Sequence, residues 1–109
     1  MPSAESLATL FSTIESRRKA DPSKSYTAKL FGKGRAKIAQ KVGEEATEAV
    51  IEGIQGDKKR LAEESADLLY HLLVLWADAG VKPGDVWTII EDRMSYSGDD
   101  EKRHRKGGD

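Results

Sequence analysis

Two consecutive stretches of the chain, residues 34–55 and 58–79, repeat their apolar residues at helical spacing and carry acidic clusters on the border of the apolar face. Residues three or four apart share a helix face. Ile38, Val42, Ala46 and Ala49 therefore form one stripe, and Leu61, Leu68, Leu72 and Leu75 another. The clusters are EEATE (Glu44 to Glu48) and EESAD (Glu63 to Asp67). On a helix, Glu44, Glu45, Glu48 and Glu52 fall within an arc of roughly 100°. Glu64 and Asp67 lie one turn apart on the second stretch. Gly53 and Gly56 weaken the end of the first helix and Asp57 suits an N-cap for the next, so the two helices fold back on one another. The rest of the chain must accommodate that antiparallel pair.

Carboxylates at the edge of a core face, on two helices that pack together, repel each other and are costly to desolvate. A divalent cation between them removes that cost. Hard oxygen ligands suit magnesium, with manganese as a substitute. The competing reading is a pair of solvated acidic faces, the usual role of Glu-rich helix surfaces. Recurrence of the pattern on two consecutive helices favours the metal.

At 109 residues the chain is expected to form one domain. A formal net charge of −1, with 34% charged residues, offers no bulk attraction for nucleic acid or an anionic membrane surface. The lack of cysteine excludes a disulfide framework and thiolate metal sites. No basic segment followed by an apolar run opens the chain, and no apolar stretch approaches the length of a membrane span. The expected location is the cytoplasm, with neither nucleic acid nor membrane as partner.

Ahead of the hairpin, Ser3 is a candidate N-cap for a helix bearing Leu7, Leu10, Phe11 and Ile14 on one face. That helix is expected to end near Arg17, Arg18 and Lys19, whose charges suit the negative end of its dipole. Asp21, Pro22 and Ser23 then break it. Residues 23–35, SKSYTAKLFGKGR, lack clean periodicity and read as a loop in which Gly32 and Gly34 flank Lys33. Lys24, Lys29, Lys33, Arg35, Lys37 and Lys41 make a positive band, and Ser25, Tyr26 and Thr27 add hydroxyl donors. Such a loop opening onto a helix N-terminus suits a phosphate; a solvated basic surface is the alternative. Lys37 and Lys41 share the arc of Glu44 and Glu48, either as ordinary charge pairing or as a strip for phosphoryl oxygens and a bridging metal. Gly43 inside the helix costs about 1 kcal/mol relative to Ala, which points to a neighbouring helix or ligand approaching closely there.

The run LLYHLLVLW makes the second hairpin helix central and buried on more than one side. His71, one turn beyond Asp67, is expected to support the core or the site rather than act directly. Gly80 closes this helix, and Pro83 opens a short fourth one with Val86, Ile89, Ile90 and Met94 on its face. Trp87, at the edge of that face, suits a subunit contact. The domain is expected to occupy residues 1–96. Residues 97–109, SGDDEKRHRKGGD, read as a mobile polar tail in which His104 has no catalytic role.

The run SYTAKLFGKGRAKIAQKVGEEATEAVIEG, followed by AEESADLLYHLLVL, resembles the phosphoribosyl-ATP pyrophosphohydrolases, a branch of the all-α, MazG-like nucleoside triphosphate pyrophosphohydrolases. The superfamily signature, Glu-Glu-x-x-Glu and then Glu-x-x-Asp one loop later, falls on Glu44, Glu45 and Glu48 and on Glu64 and Asp67. The run SYTAKLF-x-KG-x-x-KIAQKVGEE selects the phosphoribosyl-ATP branch, and the tail is similar to a degraded form of its SG-x-x-EK ending. The resemblance spans residues 7–93.

It implies an all-α, four-helix bundle completed by dimerisation, with sites near the subunit interface. The implied reaction is magnesium-dependent hydrolysis of the α–β phosphate linkage of phosphoribosyl-ATP to phosphoribosyl-AMP and pyrophosphate, the second step of histidine biosynthesis. Glu45, Glu48, Glu64 and Asp67 would be the metal ligands, with Glu44 nearby for a second ion or its water. Lys29, Lys33, Arg35, Lys37 and Lys41 would hold the substrate's phosphates and phosphoribosyl group. A phosphoribosyl-AMP cyclohydrolase is the implied partner. The rival readings are a house-cleaning nucleotide pyrophosphohydrolase, which would share the acids but not the SYTAKLF run, and a non-catalytic helical module.

Overall fold

The computed structural model describes residues 2–95; the tail expected at 97–109 lies outside the described residues. Five helices follow in order: α1 (Glu5–Ser16), α2 (Tyr26–Lys33), α3 (Arg35–Gln55), α4 (Lys58–Ala79) and α5 (Pro83–Met94). Among the described residues there is no strand.

The frame is the α3–α4 hairpin, each arm about 30 Å long. Its turn is closed by local chemistry. Gly56 adopts the left-handed conformation at φ 79°, which costs an L side chain but not glycine. The amides of Gly56 and Asp57 both donate to the Glu52 carbonyl, at 3.0 and 3.2 Å. Asp57 then caps α4, its carboxylate accepting from the Arg60 amide at 3.0 Å. The buried Glu52 carboxylate receives Arg60 Nε at 3.1 Å across the same turn.

The core lies at the other end of the hairpin. Ile14 from α1, Leu30 from α2, Ile38 from α3, and Leu73, Val74 and Ala77 from α4 are all buried, flanked by Phe11, Phe31, Tyr70 and Trp76. Burying each large aliphatic side chain favours folding by about 1.5–3 kcal/mol, so this end holds the molecule together. Toward the turn no described helix covers the pair, and Val50, Ile51 and Ile54 are exposed. Helix α5 buries none of its residues. It touches α4 through an edge-on contact of Trp87 with Trp76, centroids 6.0 Å apart, and leaves Ile89, Ile90 and Met94 in solvent. Trp87, expected at a subunit contact, meets Trp76 of its own chain yet stays 36% exposed.

Three expectations change. Within residues 23–35 a helix, α2, replaces most of the expected loop, and the described residues hold five helices rather than four. Ser25 caps α2 by accepting from the Ala28 amide at 3.1 Å, while Ala28 and Leu30 are buried. With eight residues, α2 is too short to display an apolar repeat among its polar neighbours. Gly34, at φ 93°, ends α2 directly against α3, so the open phosphate-cradling loop is absent. Second, a Cβ built on Gly43 meets nothing within 4 Å, so no helix among the described residues packs closely there. Third, α1 ends at Ser16 with Arg17 as its C-cap, close to the expected place, but Arg18 serves another helix. Arg18 lies over the Phe31 ring and donates to the Ala77 carbonyl at 2.7 Å. Together with Arg35, which reaches the Asp78 carbonyl at 2.9 Å, it satisfies the negative C-terminal end of α4.

Candidate metal and phosphate site

Midway along the hairpin, Glu45 of α3 faces Glu64 and Asp67, one turn apart on α4. One oxygen from each carboxylate lies within 4.8 Å of the other two. Glu45 and Glu64 are half-buried and Asp67 is exposed. Partial burial pushes the Glu64 carboxyl above its ordinary value. The charges of Glu45 and Asp67 and, least, that of Glu48 push the same way. Three carboxylates at this separation need a counter-charge or a shared proton. Rigid helices supply hard oxygen donors only, so the donor set fits a hard divalent cation such as magnesium or manganese.

The other two acids of the signature are placed differently. Glu48 adds to the field on Glu64 but stands outside the converging trio. Glu44 turns back along α3, accepting from Gln40 Nε2 at 2.9 Å and pairing with Lys41 at 3.3 Å. Those two contacts hold its carboxyl below the usual range. The same contact with Glu44, then the nearby Tyr26 phenol, raises Lys41 against partial desolvation.

The basic residues divide as well. Lys41 borders the acids, and Lys37 reaches only Gln40, at 3.5 Å. Lys29 and Lys33 are exposed on α2. Arg35 lies about three turns of α4 beyond Asp67, with its Nε 2.9 Å from the Asp78 carboxylate.

The hydroxyls expected to face a ligand instead tie α2 to its surroundings. Ser25 is the cap of α2, Thr27 hydrogen-bonds the Tyr70 hydroxyl, and the Tyr26 hydroxyl sits 3.3 Å from His71 Nε2. His71 is buried, and its Nδ1 lies 2.8 Å from the Asp67 carbonyl. A carbonyl only accepts, so Nδ1 carries the proton and Nε2 accepts from Tyr26. His71 thus supports the helix that bears Asp67. Tyr70 carried no signal in the sequence, because its partner stands 43 positions away and spacing reads only neighbours along one helix.

A helical hairpin with acids converging between its arms, braced by two short helices, defines an all-α, MazG-like pyrophosphohydrolase. Within that class the chain belongs to the phosphoribosyl-ATP pyrophosphohydrolase family, whose pattern it matches over residues 7–94. It is 60% identical over 104 residues to a phosphoribosyl-ATP pyrophosphatase of Azospirillum brasilense, covering 95% of this chain and 94% of that one. A protein of the same name from Paramagnetospirillum magneticum is 57% identical over 96 residues, with 88% of each chain covered. Another from Gluconobacter oxydans is 55% identical, covering 88% of this chain and 72% of its own.

Proposed function

We propose that the protein hydrolyses phosphoribosyl-ATP at the α–β phosphate linkage, releasing phosphoribosyl-AMP and pyrophosphate, the second step of histidine biosynthesis. The observation that carries this reading is the convergence of Glu45, Glu64 and Asp67 in a chain whose family and near relatives bear the name of that activity. Glu45, Glu64 and Asp67 would hold magnesium, or manganese in its place, with Glu48 and Glu44 close by for a second ion or its water. When bound there, a divalent cation supplies the charge that polarises the phosphoryl oxygens.

The chain's own groups do the rest. Glu45 and Glu64, facing each other from α3 and α4, would place carboxylate oxygens on the same cation. Lys41, Lys37, Lys33 and Lys29 neutralise the substrate's phosphates and the leaving pyrophosphate. Arg35 joins them by exchanging the Asp78 carboxylate for a phosphate. His71 keeps the Asp67 turn in place through its carbonyl.

The uncovered residues Val50, Ile51 and Ile54, with Ile89, Ile90 and Met94, support a dimer that buries them. Residues 1–96 form the domain, acting in the cytoplasm, with a phosphoribosyl-AMP cyclohydrolase as the partner consuming the product. No helix among the described residues is long and apolar enough to cross a membrane. The test is product analysis with phosphoribosyl-ATP and magnesium beside a panel of ordinary nucleoside triphosphates. Equal amounts of pyrophosphate and phosphoribosyl-AMP are expected. Faster turnover of an ordinary triphosphate would replace this reading with the house-cleaning one, and release of orthophosphate would place the cleavage elsewhere.

A further inference from the structure

We infer that Tyr26 is a stacking shelf for the purine ring of the nucleotide, beside the Glu45–Glu64–Asp67 group. The inference rests on the nucleotide-hydrolysing reading above and extends it from the phosphates to the base.

Tyr26 opens α2 on the border between the buried Leu30 and the exposed Lys29 and Lys33. It is 52% exposed, yet both ends of the side chain are fixed. Its hydroxyl donates to His71, itself only 6% exposed and anchored to the Asp67 carbonyl. Its ring lies against Tyr70, centroids 6.2 Å apart and planes 26° from parallel, and meets His71 nearly at a right angle. Tyr70 is in turn held by Thr27.

Restraining an exposed side chain sacrifices rotamer freedom without the return that full burial brings. An immobilised aromatic face in solvent is, however, what a planar ligand requires, because a stack gains most when the platform is already ordered. With the hydroxyl engaged by His71, recognition falls to the ring face.

The position fits a nucleotide. His71 is one turn of α4 past Asp67, a rise of about 6 Å. Helix α2, which Tyr26 opens, packs against both α3 and α4, and Lys41 of α3 contacts Glu44 at 3.3 Å. The ring lies against α4, and its helix is bordered by both acid-bearing helices. A nucleotide with its phosphates at the carboxylates has only its ribose to span before the base reaches Tyr26.

The experiment compares Tyr26→Leu and Tyr26→Phe with the wild type, using AMP and inorganic pyrophosphate as inhibitors and KM for phosphoribosyl-ATP as a further readout. Tyr26→Leu should weaken AMP inhibition by about tenfold or more, the scale of one base–aromatic stack, and raise KM alike. Pyrophosphate inhibition should stay at the wild-type level, and Tyr26→Phe should retain AMP inhibition. The shelf is overturned if Tyr26→Leu keeps full AMP inhibition, if it loses both inhibitors equally, or if Tyr26→Phe is as weak as Tyr26→Leu. Circular dichroism of each variant separates loss of the ring from loss of α2. If the wild type releases no pyrophosphate at all, the functional reading fails, and equilibrium dialysis of AMP against the same variants still decides the shelf.

Discussion

Replacing Gly43 by Ala should stabilise the protein. Gly43 lies in the interior of α3, where glycine costs about 0.8–1.0 kcal/mol relative to alanine through the freedom it loses on folding. A new methyl group would repay that only if it had space. The site has it: a Cβ there meets nothing within 4 Å, and the Thr47 hydroxyl keeps its bond to the Gly43 carbonyl at 3.0 Å. The net gain should approach about 1 kcal/mol, a rise of about 4–8 °C in Tm for a domain of this size. Urea and thermal unfolding followed by circular dichroism, at matched protein concentration, measure it. Steady-state kinetics on the same sample add a second reading, since Gly43 directly precedes Glu44. Higher Tm with unchanged kinetics is the expected pair. A lower Tm would refute the reasoning, because it would mean that another subunit or a repacked helix fills that face in solution. A higher Tm with lost activity would mean that substrate passes over Gly43.

Removing the mutual repulsion at the acidic trio should also be measurable. Because Glu64 titrates above its ordinary value of 4.5 in the fold, its ionised form costs stability above that raised pKa, and the cost disappears as pH falls through it. In chelator at neutral pH, Glu64→Gln should therefore melt above wild type, with the gap closing on acidification; a gap that widens would invert the assignment. Lys33→Ala and Lys37→Ala should raise KM more than they lower kcat, since groups acting in ground-state binding move KM; unchanged constants in both would remove these lysines from the site. Sedimentation at micromolar concentration should give a dimer, and Ile54→Glu should shift it toward monomer. A well-folded wild-type monomer would show that the exposed apolar residues need no partner.

Much of the hairpin could be read in advance because its determinants are local. Asp57 caps α4 and Gly80 ends it at φ 80°, and both signals sit within one turn of the boundaries they set. The acids were legible as a group for the same reason, since helical spacing assigns faces. Spacing does not fix rotamers, and so Glu45, Glu64 and Asp67 converge while Glu44 turns to Gln40 and Lys41. Helix α2 was hidden because its stability comes from tertiary burial of Ala28 and Leu30 and from hydroxyl contacts to α4 rather than from a repeat of its own. Arg18 and Arg35 were hidden because the carbonyls they satisfy lie 59 and 43 positions away. Long-range polar pairing leaves no period in a sequence.

The central claim is that Glu45, Glu64 and Asp67, held on two facing helices, bind the divalent cation on which hydrolysis depends. Titration calorimetry with magnesium and manganese, paired with pyrophosphate release from phosphoribosyl-ATP, tests it directly on the wild type, Glu45→Gln, Glu64→Gln and Asp67→Asn. Each variant should lose cation binding and turnover together while its helical circular dichroism stays intact. Wild-type binding and turnover in Glu64→Gln would contradict the account.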